Sequence, residues 1–265
     1  MPELEVTSAD DPRLSDYAGL RDRDLLRREE GLFVGEQILV VERMLALPGV
    51  VRSVLCAEAF RGRVAVLVPP EVPLLVGSME LLQSLAGFHV HRGVLAIGVR
   101  ERVPRPALAE LAGSGRRVLL ACEDITHADN IGALFRVAAA LGAQGVLLSP
   151  RCHDPLYRRC VRMSVGHVLS VPWRIAESWP GELAILREVH GFSCLGASLE
   201  AGARRHDEVD PPTRTVLVVG TEWAGLAPST AALCDCLVRI PMAAGVDSLN
   251  VAVAAGILLD RLRPR

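Results

Sequence analysis

From residue 117 onward the chain alternates apolar β runs with helical stretches, and that alternation constrains the fold more than any other feature. "RVLLACED" reads as a buried strand, Asp129 to Leu141 as a helix and "AQGVLLS" as the next strand. "RIAESWPGELAILREVHG" holds a helix, "FSCLGAS" a strand, and "TRTVLVVGTE" is an unbroken β run; "DCLVRIPM" is another strand and Ser248 to Leu262 the last helix, with Ser248 as its N-cap. Strands that are apolar along their length are covered on both faces. With helices between them they predict an α/β fold with a mostly parallel sheet. Ligands of such sheets sit beyond the carboxyl ends of the strands.

The first hundred residues alternate in the same way over shorter segments: "LFVGE", an amphipathic "QILVVERMLAL", "VRSVLCA", "VAVLVP" as a strand, "SMELLQSLAG" and "GVLAIGVR". They predict a compact α/β unit. The stretch Arg100 to Arg117, rich in Arg, Pro and Gly, then interrupts the pattern. At 265 residues the chain has room for a small domain followed by a medium one, predicted as 1–105 and 117–265 with a linker at 106–116.

Composition narrows the chemistry. All 29 basic residues are arginine, so a Walker-type phosphate loop, a pyridoxal Schiff base and a lysine general base are excluded. Any anion must be held by arginine forks or backbone N–H groups. Seven cysteines in apolar surroundings suit reduced thiols better than disulfides, and their spacing gives no metal-ligand pattern. No apolar run reaches the roughly 18 residues of a membrane span, and the acidic, polar start is unlike a secretory signal. A cytoplasmic location is the expectation.

Three polar groups fall at predicted strand ends. In "DITHADNIGALFRVAAALGAQG", Asp129 or Asn130 is a candidate N-cap, Gly132 permits close backbone approach, and Arg136 opposes the helix dipole; it is either an anion-binding group or an ordinary surface arginine. In "VLVVGTEWAGL" a buried strand runs into Gly220 and then Glu222 and Gly225, which leaves Glu222 as a capping residue or a functional carboxylate. In "IPMAAGVDSLNVAVAAGILL" Asn250 falls where a helix should be starting, although Asn is a poor helix former, and the small residues Ala252, Ala254, Ala255 and Gly256 imply a close-packed neighbour.

Together these groups resemble the SpoU branch of the SPOUT superfamily, the RNA ribose 2′-O-methyltransferases. The pattern NxGxxxR appears as Asn130, Gly132 and Arg136; GxExxGL as Gly220, Glu222, Gly225 and Leu226; and IPM followed by SLNV as Ile240, Pro241 and Met242, then Ser248, Leu249, Asn250 and Val251. "LFVGEQILVVERML" and "HRGVLAIGV" are similar, more loosely, to the ribosomal-protein-like substrate-binding domain that precedes the catalytic domain in many members. The resemblance implies a catalytic domain closed by a trefoil knot, S-adenosylmethionine held in the knot loops, and a homodimer with the active site at its interface. It implies cofactor contacts from Gly220, Thr221, Ile240, Met242, Ser248 and Leu249, and catalytic roles for Arg136, Asn130, Glu222, Ser248 and Asn250. Arg136 lies near the target hydroxyl in that scheme, either as the base with help from a substrate phosphate or, since arginine stays protonated, as an orienting and charge-stabilising group, and Asn130, Glu222, Ser248 and Asn250 organise the pocket.

Arg158, Arg159 and Arg162, in "SPRCHDPLYRRCVRMSVGHVLSVP", are either RNA-phosphate contacts or solvated helix charges. A non-catalytic RNA-binding relative is expected to lack Arg136, Glu222 or Asn250, and all three are present. A dinucleotide-dependent oxidoreductase needs a GxGxxG turn that "GTEWAGL" does not supply. Ribosomal RNA is the favoured target because the two-domain build is typical of rRNA-modifying members; tRNA and an antibiotic-resistance role stay open.

Overall fold

The structure is a computed structural model that describes residues 3–20, 31–86, 93–221 and 224–263. Gly87, His91 and Arg92 of the first hundred residues, and Glu222 of the second motif, lie outside the described residues. Chain contacts divide it into two units, Met1–Pro104 with Leu156–Leu169, and Arg105–Pro155 with Ser170–Arg265. Among the described residues no helix is long and apolar enough to cross a membrane.

Among the described residues the first unit is built on five strands: β1 (Glu3–Glu5), β2 (Leu32–Glu36), β3 (Val51–Ala57), β4 (Leu74–Gly77) and β5 (Val94–Val99). Their order is β1-β4-β3-β5-β2. β1, β4 and β3 run parallel, whereas β5 is antiparallel to both β3 and β2. Helices Ile38–Leu45 and Met79–Ala86 each present a buried apolar stripe, and Leu14, Tyr17, Leu55, Leu82 and Ile97 belong to one core cluster. The fully buried Tyr17 hydroxyl is within 2.9 Å of Ser53 Oγ, so its polar tip is satisfied.

"VAVLVP" is not a strand. Residues Arg61–Ala65 form a short helix, Val66 is 82% exposed, and the strand expected there is the later "LLVG" of β4. Pro69 and Pro70 supply no N–H to a ladder, which moves the strand downstream.

Among the described residues the second unit holds seven strands: β6 (Arg117–Cys122), β7 (Gly145–Leu148), β8 (Trp173–Ile175), β9 (Ser193–Ala197), β10 (Arg204–Arg205), β11 (Arg214–Val219) and β12 (Cys236–Arg239). Their order is β10-β12-β9-β11-β6-β7-β8, and every pair is parallel. β11 is central: five of its six residues are buried, as its Thr-Val-Leu-Val-Val run requires. Strand β8 overlaps the start of the segment read as holding a helix, and the helix itself spans Gly181–Glu188.

Two helix starts differ from the sequence reading. The first-motif helix spans Ala128–Ala140 with His127, not Asp129 or Asn130, at its N-cap; Asn130 is buried in its first turn. The last helix spans Val251–Leu262, and its N-cap is Asn250 instead of Ser248. Asn250 Oδ1 accepts from Ala252 N at 3.0 Å, so a residue that is poor inside a helix stands just outside it, where Asn is favoured.

Candidate active site

The carboxyl ends of β9, β11 and β12 and the start of helix Val251–Leu262 enclose a cleft of ≈ 260 Å³. Gly220, Thr221, Ile240, Met242, Ser248 and Leu249 all line it. Its floor is apolar, from Val219, Leu226, Leu237, Val251 and Leu258.

Local backbone chemistry explains the wall after β11. Thr221 and Gly225 exchange two backbone hydrogen bonds of 3.0 Å each, which pins these two residues together, and Ala224 N donates to Thr221 Oγ1 at 3.1 Å. Gly225 has φ +63°, a left-handed conformation that favours glycine. A Cβ on Gly220 would stand 2.1 Å from the Gly225 carbonyl oxygen, so only glycine lets these turns meet. Glu222 belongs to this loop by sequence and lies outside the described residues.

The third-motif loop carries Ile240, Met242, Ser248 and Leu249 along the cleft and delivers Asn250 to the helix start. There Asn250 Nδ2 donates to Asn130 Oδ1 at 2.9 Å, across 120 residues of sequence. The first and third motifs are thereby joined side chain to side chain. Arg136 lies on the exposed face of its helix and is not among the cleft-lining residues.

Arg158, Arg159 and Arg162 lie on helix Arg158–Met163, which belongs to the first unit, not to the 117–265 segment expected to form one domain. Arg158 Nε is ion-paired with the carboxylate of buried Glu36. Arg159 is exposed and Arg162 partly so.

Sequence reasoning passed over Ser198, Leu199 and Glu200, which line the cleft directly after β9. The strand-end rule applied to "FSCLGAS" points to them. Glu200 is the one carboxylate on the described lining.

A model of the SpoU rRNA Methylase family matches residues 117–260. The chain belongs to that family. Among relatives of this SpoU methylase is an uncharacterised tRNA/rRNA methyltransferase of Mycobacterium bovis, 38% identical over 96% of this chain and 89% of that protein. A 23S rRNA (guanosine-2′-O-)-methyltransferase of Acinetobacter baylyi is 32% identical over 69% of this chain and 74% of that protein. The crystal structure of an AdoMet-bound rRNA methyltransferase from Sinorhizobium meliloti superposes on the SpoU methylase with a TM-score of 0.82 at 25% identity, covering 97% of this chain and 96% of that one. The SpoU methylase is an RNA methyltransferase with an α/β fold.

Proposed function

We propose that this SpoU methylase transfers the methyl group of S-adenosylmethionine to a ribose 2′-hydroxyl of RNA, and that the RNA is ribosomal. The observation that carries the reading is the Asn130–Asn250 hydrogen bond. It brings the first motif to the third beside a cleft walled by the second motif and by the residues after β9.

The residues present fit the methyl donor. The cleft has an apolar floor for a flat base, backbone rims for polar ends, and Glu200 on a lining otherwise free of charge among the described residues, which suits a ligand carrying sulfonium and ammonium charge. S-adenosylmethionine supplies, when bound, an electrophilic methyl group on positively charged sulfur. Gly220, Thr221, Ile240, Met242, Ser248 and Leu249 hold it.

A ribose hydroxyl is a weak acid and must lose its proton as it attacks: the new O–CH3 bond replaces the donor's S–CH3 bond, the sulfur leaves as the neutral thioether of S-adenosylhomocysteine, and the proton passes to a phosphate oxygen of the RNA and on to solvent. Arg136 orients it and screens the charge developing on its oxygen; a guanidinium stays protonated, so it acts by charge and hydrogen bonding. Asn130, Asn250, Ser248 and Glu222 keep the pocket in shape around that group. Arg158, Arg159 and Arg162 meet RNA phosphates, with Arg158 divided between that role and its partner Glu36.

The fold reading extends to a trefoil knot formed by the segment after β11, to an RNA-binding role for the first unit, and to a cytoplasmic homodimer whose active site is shared between subunits. The insertion of β11 between β9 and β6, and the packing of the last helix on helix Ala128–Ala140, support the knot. The guanosine-2′-O name of the Acinetobacter baylyi relative supports the ribose chemistry. A tRNA target is the second reading, favoured by the tRNA/rRNA name of the Mycobacterium bovis relative.

Incubation with labelled S-adenosylmethionine and total RNA from a strain lacking the protein, followed by mapping of ribose methylation, tests the assignment. Label at a single rRNA ribose is expected; no transfer to any RNA would refute it. In the same assay Arg136→Ala should abolish transfer while donor binding survives, and unchanged turnover would remove Arg136 from its role.

A further inference from the structure

β6 ends on a carboxylate that belongs to none of the three motifs. Glu123 is only 3% exposed, yet three donors converge on its two oxygens. Trp179 Nε1 reaches Oε1 at 2.7 Å, the Thr230 hydroxyl donates to the same oxygen, and Ala227 N reaches Oε2 at 2.8 Å. A buried carboxylate is costly unless both oxygens are paired, so this arrangement needs a purpose beyond filling space.

The backbone of Glu123 supplies the other half of the observation. Its own N–H donates to the carbonyl of Val219 at 2.8 Å, at the end of β11. Val219 is the last residue before the loop Gly220–Leu226, and Ala227 is the first after it. One residue thus grips the loop where it leaves the sheet, through its main chain, and where it returns, through its side chain. Between those grips lie Gly220, Thr221, Gly225 and Leu226, all on the cleft wall. Glu123 itself does not line the cleft.

We propose that Glu123 is a positioning residue for the methyl donor: by clamping both ends of the Gly220–Leu226 loop it fixes the cleft wall, and so sets donor affinity without touching the donor. The proposal rests on the reading of this cleft as the S-adenosylmethionine site. Its chemistry calls for a carboxylate specifically. A carboxylate accepts at both oxygens, whereas the amide of glutamine turns one end into a donor that faces either Ala227 N–H or the two donors at Oε1.

Titration calorimetry with S-adenosylmethionine, alongside thermal melts, tests it on the full chain, Glu123→Gln and Trp179→Phe. Trp179→Phe removes a donor from the same carboxylate but leaves the Ala227 clamp in place. Both variants should melt lower than wild type. Only Glu123→Gln should bind donor more weakly, by roughly tenfold, the worth of one charge-assisted hydrogen bond. Equal affinity in wild type and a folded Glu123→Gln would overturn the proposal, as would equal weakening in both variants. Lack of binding by the wild-type chain would overturn the cleft reading itself, a result the wild-type titration delivers alone. If Glu123→Gln does not fold, hydrogen exchange on the ligand-free wild type decides. The Ala227 amide should be protected like those of β11, and exchange as fast as an open turn would sink the idea.

Discussion

In the first sheet β5 runs against both of its neighbours, whereas all seven strands of the second run the same way. Antiparallel neighbours can be joined at either end of a sheet, so loops and their polar groups are shared between two edges. A parallel sheet returns every connection through a crossover and gathers the carboxyl ends of its strands on one side. The loops after β9, β11 and β12 therefore meet and enclose a cleft. Buried polar pairs that hold structure together occur in both units: Tyr17 with Ser53 and Glu36 with Arg158 in the first, Arg174 with Glu182 in the second. Strand direction decides where chemistry can be assembled: in the first sheet β1, β4 and β3 run together against β5, whereas in the second all the paired strands gather their carboxyl ends on one side.

The sharpest way to break this contrast is Gly220→Ala. The added methyl meets the Gly225 carbonyl at 2.1 Å, so the turn must open. Overpacking of this kind costs about 1–3 kcal/mol. The expected outcome is donor affinity reduced by roughly a hundredfold or more, read by calorimetry, because the cleft wall itself moves. Near-normal affinity would mean that the loop after β11 does not shape the donor site.

The next largest effect belongs to the first unit. Removing Arg158 strands the buried carboxylate of Glu36, whose side chain is 7% exposed against 22% for Arg158. Arg158→Ala should destabilise the protein by about 2–3 kcal/mol in urea unfolding, toward the lower end for a broken buried pair because Arg158 keeps some solvent. Arg162→Ala should leave stability within about 0.5 kcal/mol while lowering RNA affinity and reducing the salt slope by about 1. If Arg158→Ala altered RNA affinity alone, the ion pair would not be structural and the two units would be less different than they look.

How much of this the sequence revealed depends on the range of the forces involved. β2 and β3 were legible to the residue, and β11 as the core of the longer run "TRTVLVVGTE", because a largely buried strand shows as consecutive apolar side chains. The cleft residues at Gly220, Ile240 and Leu249 were legible through motifs. Cap chemistry was half legible: Ser248 and Asn250 are both good caps, and only the path of the loop into the helix selects Asn250. What could not be read were the long-range pairs. Arg158 finds Glu36 across 122 residues, which places Leu156–Leu169 in the first unit although its neighbours on both sides belong to the second. Glu123 looks like the end of a strand until Ala227 and Trp179 close on it.

Asn250 separates structural from catalytic work within the second unit. Asn250→Ala loses both the cap and the bond to Asn130, and should cost about 1 kcal/mol of stability along with methyl transfer. Asn250→Asp keeps an oxygen for Ala252 N but replaces the donor to Asn130 Oδ1 with an acceptor. Stability should stay near wild type, and methyl transfer should fall about tenfold. Equal transfer in Asp and wild type would reduce Asn250 to a cap, and the joining of the two motifs to packing.

The smallest effect is a difference in alkaline tolerance. Burial pushes the Cys194 thiol up to about 11 and the Cys234 thiol up to about 12, each helped by nearby negative groups, and burial also raises the Tyr17 phenol in the first unit. In the unfolded chain thiols ionise from about pH 8.5 and phenols from about pH 10. Above those values the unfolded state releases protons that the folded state keeps, so stability is unaffected below about pH 8 and falls as pH rises toward the folded values. The thiols act first. The urea midpoint of the wild type should begin to fall near pH 9, and Cys194→Ala combined with Cys234→Ala should lessen that early fall, the raised Cys122 and Cys152 thiols keeping part of it, while the later loss tied to Tyr17 persists. Tyr17→Phe should do the converse. Midpoints that fall in parallel for all three proteins would place the alkaline weakness elsewhere, since both units bury thiols while the buried phenol of Tyr17 belongs to the first.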